Sequence, residues 1–208
     1  MCVLHSIYIY CYNYTIQIKE AFYNAKKVCI LNGSPRANGN TKELIKHFTD
    51  GAKEAGCDVV CFDLQTMNIH GCLGCCRGGT DTANPCVQQD DMSKIYPAYI
   101  AADILVLASP MYYWGFSGQL KCAFDRLFAV AELNPNYANP IKDCILLMAA
   151  EGDTEDNFAP VKAAYEGLLH HLGWNNLGIV YAGGNMAAGD IIDKPAQLQE
   201  ARELGKSL

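Results

Sequence analysis

An apolar run, Val28-Cys29-Ile30-Leu31, is followed by Gly33-Ser34-Pro35-Arg36-Ala37-Asn38-Gly39-Asn40-Thr41, and a helical pattern opens at Asn40. A buried strand that turns into a helix through such a loop makes an anion pocket. The first helical turn has backbone N–H groups without partners, and the helix dipole adds positive charge there. Gly33 and Gly39 let the chain approach a phosphate closely. Ser34, Asn38, Asn40 and Thr41 can donate hydrogen bonds, and Arg36 adds a charged fork. The loop suits a phosphomonoester. Its plain alternative is an ordinary capped βα turn, because Asn and Thr favour helix N-termini anyway. Lys42 follows Thr41 rather than preceding it, so the loop is not a nucleotidase P-loop, and the dinucleotide fingerprint is absent as well.

A second loop, Ser109-Pro110-Met111-Tyr112-Tyr113-Trp114-Gly115-Phe116-Ser117, follows the apolar run Ile104-Leu105-Val106-Leu107-Ala108. Aromatics at positions 112, 113, 114 and 116 sit at a strand end, on the rim of a sheet, where core packing explains them poorly. A flat aromatic ligand against Tyr112, Tyr113 or Trp114 would explain them, with backbone groups near Pro110 and Gly115 meeting its edge. A packed lid or a subunit contact is the competing explanation. The histidines are scattered, and no Ser–His–Asp or paired-carboxylate arrangement calls for hydrolysis.

The elements that must position these loops alternate along the chain. Strands are expected at 28–31, 58–64, 103–109, 144–149 and 178–182, with helices at 40–55, 90–102, 117–130, 157–172 and 195–204. Alternation of this kind specifies a doubly wound parallel sheet with helices on both faces, whose ligands sit beyond the carboxyl ends of the strands.

Two motifs together, GSPR with GNT after the first strand and SPMYYWGFSGQLKCAFDR after the third, resemble the NAD(P)H-dependent FMN reductase and iron–sulfur flavoprotein branch of the flavodoxin-like superfamily. The resemblance runs from about Val28 to the C-terminus. It implies a five-stranded sheet in the order 2-1-3-4-5, FMN as cofactor and NAD(P)H as co-substrate. It implies that Ser34, Arg36, Asn38, Asn40 and Thr41 hold the FMN phosphate. Pro110, Met111, Tyr112, Tyr113, Trp114 and Ser117 would then lie along the ribityl chain and ring, with Glu151 and Gly152 of the loop 150–153 near the pyrimidine edge. A nicotinamide would stack on the open ring face and pass a hydride to the flavin, which carries the reaction chemistry itself. Quinones, nitroaromatics and free flavin are the expected small acceptors.

Iron–sulfur members of that branch carry cysteines in the region that here reads Gly71-Cys72-Leu73-Gly74-Cys75-Cys76-Arg77-Gly78-Gly79, with Cys86 beyond. Gly78 stands where their third ligand is expected, and Cys76 adjoins Cys75 instead. Cys72, Cys75, Cys76 and Cys86 could still supply four thiolates to a 4Fe–4S cluster fed by a ferredoxin, or to zinc. The alternative is a loop of metal-free thiols, Cys72 and Cys75 lining the flavin site or pairing reversibly. A flavodoxin-like interaction module without cofactor is a third reading, against which both loops keep their donors and aromatics.

Eleven cysteines in 208 residues, without the marks of a signal peptide, fit a cytoplasmic protein with reduced thiols. Sixteen basic against twenty-two acidic residues give a formal charge of −6 with no basic stripe, which disfavours nucleic acid and anionic membranes. Residues 1–26, with alternating Tyr8, Tyr10, Tyr12 and Tyr14, form an extension to the domain at 27–208. An edge strand or intersubunit arm, a disordered leader and a stretch upstream of the true start are its three readings. A flavin whose outer face is open at a sheet end suggests a homodimer or homotetramer.

Overall fold

A computed structural model describes residues 25–208, so all but the last two residues of the extension at 1–26, and with them the tyrosine ladder, lie outside the described residues. Five strands, β1 (Lys27–Asn32), β2 (Asp58–Asp63), β3 (Ile104–Pro110), β4 (Asp143–Ala149) and β5 (Asn175–Ala182), pair in parallel in the order 2-1-3-4-5. Around them lie α1 (Asn40–Glu54), α2 (Met92–Ala101), α3 (Gly118–Arg126), α4 (Phe128–Ala131), α5 (Glu155–Leu172) and α6 (Pro195–Lys206).

Side chains of a strand alternate between faces, so a strand covered on both sides is apolar at every position. β3 is such a strand, buried from Ile104 to Ser109. Leu105 and Leu107 join Cys29, Leu31, Cys144, Leu146 and Met148 in a core with Tyr96, Tyr99, Leu120 and Tyr165. Ile104, Val106 and Ala108 turn the other way, joining Val28, Ile30, Ile145 and Leu147 against Leu44, Phe48 and Ala201. The strand order reverses between β1 and β3, so the loops that follow these two strands open into one crevice.

The expected helix over 117–130 is two pieces. At Leu127 the backbone tightens: Leu127 N–H bonds to Phe124 O and Val130 N–H to Leu127 O, each at 3.0 Å and three residues back. No Gly or Pro marks the bend, which is why the apolar spacing read through it. β5 begins at Asn175, three residues earlier than its apolar stretch, because Asn175 and Asn176 pair with Asp143 and Cys144 despite being polar and exposed. The Asn175 side chain donates to Asp143 Oδ1 at 2.9 Å.

α1 and α6 touch backbone to backbone. A Cβ on Gly51 would strike Arg202 O, and one on Gly205 would strike Phe48 O and lie 2.8 Å from Ala52 N. Backbone cannot yield as a side-chain tip can. Gly205→Ala is therefore expected to cost about 1–3 kcal/mol of stability, read as a lowered urea midpoint with unchanged slope.

Candidate functional site

The crevice joins three loops. Gly33 N–H bonds to Ala108 O at 2.8 Å, and Ser117 Oγ donates to Gly33 O at 2.7 Å, so the loops after β1 and β3 are stitched at their roots. Ser117 also caps α3 by accepting Leu120 N–H at 3.2 Å, and its own N–H goes to Ser109 Oγ at 2.9 Å. It is fully buried. Ser117 therefore acts as mortar between the loops, its one hydroxyl proton already committed to Gly33 O.

At the anion end Gly39 is the N-cap of α1, with extended backbone. Lys42 N–H and Glu43 N–H return to Gly39 O, whereas the N–H groups of Asn40 and Thr41 have no partner among the described residues. Thr41 is 1% exposed, and its hydroxyl likewise makes no hydrogen bond among the described residues. Ser34 Oγ lies a long 3.3 Å from Arg36 N. A Cβ on Gly39 would come within 3.0 Å of both Ser34 Oγ and Arg36 Cβ, so only a bare backbone leaves this cradle open. These unspent donors fit a phosphate.

Three of the five expected phosphate residues line the cleft: Ser34, Arg36 and Asn40. Arg36 leans across to donate to Met186 O at 2.8 Å. Asn40 spends its side chain on the turn beyond β5, giving to Ala187 O at 2.8 Å and accepting from Gly189 and Ile191 N–H. Its backbone N–H stays unpartnered among the described residues and is free for an anion. Asn38 is exposed and points to no partner among the described residues. Behind the loop, Ser34 N–H bonds to Asn32 Oδ1 at 3.0 Å, Asn32 to Asp63 at 2.8 Å, and Lys42 grips Asp63 at 2.7 Å. Burial would raise the Asp63 carboxyl, but the hydrogen bonds from Lys42 and Asn32 outweigh it and hold it below the usual carboxylate range.

The other end of the cleft is aromatic. Pro110, Met111 and Tyr112 continue its wall beside Ala149, Glu151, Asn185 and Met186, enclosing about 200 Å³. Tyr112 and Gly115 exchange N–H···O bonds of 3.1 Å, and between them Tyr113 (φ 47°) and Trp114 (φ 59°) are both left-handed. That is the geometry of a turn normally built from Gly or Asn. Two bulky residues held there carry strain, and Tyr113 is 98% exposed. The ring of Trp114 is held by its Nε1–H, which donates to Asn157 Oδ1 at 3.0 Å. Asn157 also fills the space over Gly152, where a Cβ would collide with its amide. Met111, Tyr112, Tyr113, Trp114, Glu151, Gly152 and Asn157 thus frame a second, open part of the site.

Asn157 and Asn185 escaped the sequence reading. Asn157 belongs to the first turn of α5, where Asn reads as a capping residue, and its N–H does bond to Thr154 Oγ1 at 3.3 Å. Asn185 follows a Gly-Gly pair at the carboxyl end of β5, a position that in this architecture borders the ligand crevice. Its amide nitrogen makes three hydrogen bonds, and its buried Oδ1 makes none. A ligand donor would satisfy that oxygen. Removing the Trp114 anchor by Asn157→Ala should cost about 1 kcal/mol, a roughly fivefold weaker retention of FMN by fluorescence titration. Unchanged retention would mean that the aromatic turn does not depend on this anchor.

The cysteine loop forms a separate wall. Cys72, Cys75, Cys76 and Cys86 line one small cavity with Arg126 and Glu132. Arg126 is wholly buried, chelating Asp90 at 2.7 and 3.1 Å while donating to His70 O at 2.9 Å and to Cys86 Sγ at 3.2 Å. The nine described cysteines are all free.

A parallel sheet of this order, with a phosphate-ready loop and an aromatic turn at its switch point, defines a flavodoxin-like oxidoreductase. The family model for NADPH-dependent FMN reductase matches residues 26–186, and the chain belongs to that family. An iron–sulfur flavoprotein of Methanosarcina thermophila is 25% identical over 187 residues, covering 88% of this chain and 93% of that protein. An FMN-dependent NADPH-azoreductase of Staphylococcus aureus is 30% identical over 101 residues, 49% of this chain and 52% of that one. Among solved structures, an NAD(P)H:quinone oxidoreductase from Methanothermobacter marburgensis superposes with a TM-score of 0.71 at 23% identity, covering 88% and 96% of the two chains.

Proposed function

We propose that the chain binds FMN in the β1/β3 cleft, takes reducing equivalents from NAD(P)H and delivers them to a small acceptor of the quinone, nitroaromatic or azo class. The observation that carries this is the pairing of unspent donors at the head of α1 with the strained aromatic turn across one cleft. FMN held there would supply the redox chemistry, hydride acceptance from a nicotinamide and onward electron delivery. The protein holds the phosphate with Ser34, Arg36, Thr41 and the N–H groups of Asn40 and Thr41. Tyr112 and Trp114 fix the ring plane, while the backbone around Glu151 and Gly152 meets its polar edge. A charge-assisted hydrogen bond to the phosphate contributes about 1.5–3 kcal/mol.

The open rim at Tyr113 and Trp114 admits flat partners from one side and supports an acceptor that is planar and unsaturated. A second copy closing over this rim, in a homodimer or homotetramer, belongs to the same reading. So does a cytoplasmic setting, supported by the free thiols. No helix of the described residues is long and apolar enough to cross a membrane. The test is anaerobic mixing of the FMN-loaded protein with NADPH or NADH. Bleaching of the flavin absorbance, restored by a quinone, is expected; a protein that retains no FMN would end the proposal.

A further inference from the structure

Several relatives are named iron–sulfur flavoproteins, and a cubane cluster takes four protein ligands, one for each iron. Here the third place in the C-x-x-C-x-x-C spacing is Gly78. Its surroundings decide what that glycine means. Gly78 N–H donates to Glu132 Oε2 at 3.0 Å. A Cβ added to Gly78 would fall on that same carboxylate oxygen, 2.8 Å from Pro85 O and 3.3 Å from Ala129 Cβ. The direction in which a third thiolate would project is therefore taken by the carboxylate of Glu132 and closed behind it by Pro85 O, a backbone atom that cannot swing aside.

Cys76 does not take over the vacant role. It adjoins Cys75, has left-handed backbone (φ 47°) and is exposed. The loop is instead closed by protein contacts. Gly79 N–H bonds to Pro85 O at 2.8 Å, Gln88 reaches Gly71 O at 3.1 Å, and Arg126 ties Cys86 and His70 O to Asp90.

We infer that Glu132 replaces the third thiolate and locks the cysteine loop as protein, so that this chain holds no four-iron cluster and its electron route ends at the flavin site. The inference stands apart from FMN binding, because the lock uses none of the cleft residues.

The wild-type holoprotein, purified without oxygen and then incubated with ferrous iron and sulfide, provides the test. Iron, acid-labile sulfide and FMN are counted per chain, and the thiols of Cys72, Cys75, Cys76 and Cys86 are alkylated before and after. The expected result is full FMN, no stoichiometric iron or sulfide, and unchanged alkylation. About four irons per chain with these thiols protected would overturn the inference whatever the FMN content. In a second arm, Glu132→Ala should speed alkylation of the half-buried Cys75 and Cys86 several-fold while FMN content stays at the wild-type level. An unchanged rate at both cysteines would overturn the lock. A wild-type protein without FMN would instead strike the proposed function and leave this inference standing.

Discussion

Asp90→Ala is expected to destabilise the protein by about 3–5 kcal/mol, because it leaves the Arg126 guanidinium buried and unpaired. Both side chains are essentially inaccessible, at 0% and 1%, and the pair is bidentate. Urea unfolding at neutral pH measures the loss. A midpoint within error of the wild type would mean that Arg126 finds water or another partner once Asp90 is gone. The pair also sets an acid limit. Burial would raise the Asp90 carboxyl, but the hydrogen bonds from Arg126 and from His70 and Met92 N–H prevail and keep it below the usual carboxylate range. A carboxyl lower in the folded than in the unfolded state stabilises fully above its unfolded value of about 3.9, and loses that contribution as pH falls through the folded value. The stability gap between wild type and Asp90→Ala should therefore hold constant from neutral pH down to about 5 and shrink below about 4.

Thr41→Val should weaken FMN binding about ten- to a hundredfold while leaving the fold intact. Valine keeps the shape of threonine, so the buried packing survives, and only the unpartnered hydroxyl at the head of α1 is lost. Riboflavin, which lacks the phosphate, gives the control by fluorescence titration. Its affinity should not change in the variant. Equal FMN affinity in Thr41→Val and wild type would show that the phosphate sits elsewhere.

Much of the architecture was legible because it rests on short-range rules. The continuous apolar run at Ile104–Ala108 announced a strand covered on both faces, and Gly56 (φ 85°) ends α1 in the left-handed conformation that its type favours. The two loops at the switch point were legible for the same reason: each directly follows such a strand. What the letters hid was where polar side chains spend their hydrogen bonds. Asn40 and Ser117 have the right chemistry for a ligand, yet their partners come from the turn at 187–191 and from Gly33. Those partners are 147 and 84 residues away in the chain, beyond any local rule. Asn157 and Glu132 were missed for the converse reason, since their importance comes from the glycines they cover, Gly152 and Gly78.

The glycine contact between α1 and α6 reaches further than its own few atoms. Because backbone meets backbone at Gly51 and Gly205, the two axes have little room to slide past each other, so the last helix buttresses the first, whose head forms the anion seat. The matched family region runs from 26 to 186, so it includes α1 but not α6, the other half of this brace. Circular permutants or grafts that part residues 195–206 from the rest would keep every cleft residue and still loosen their foundation.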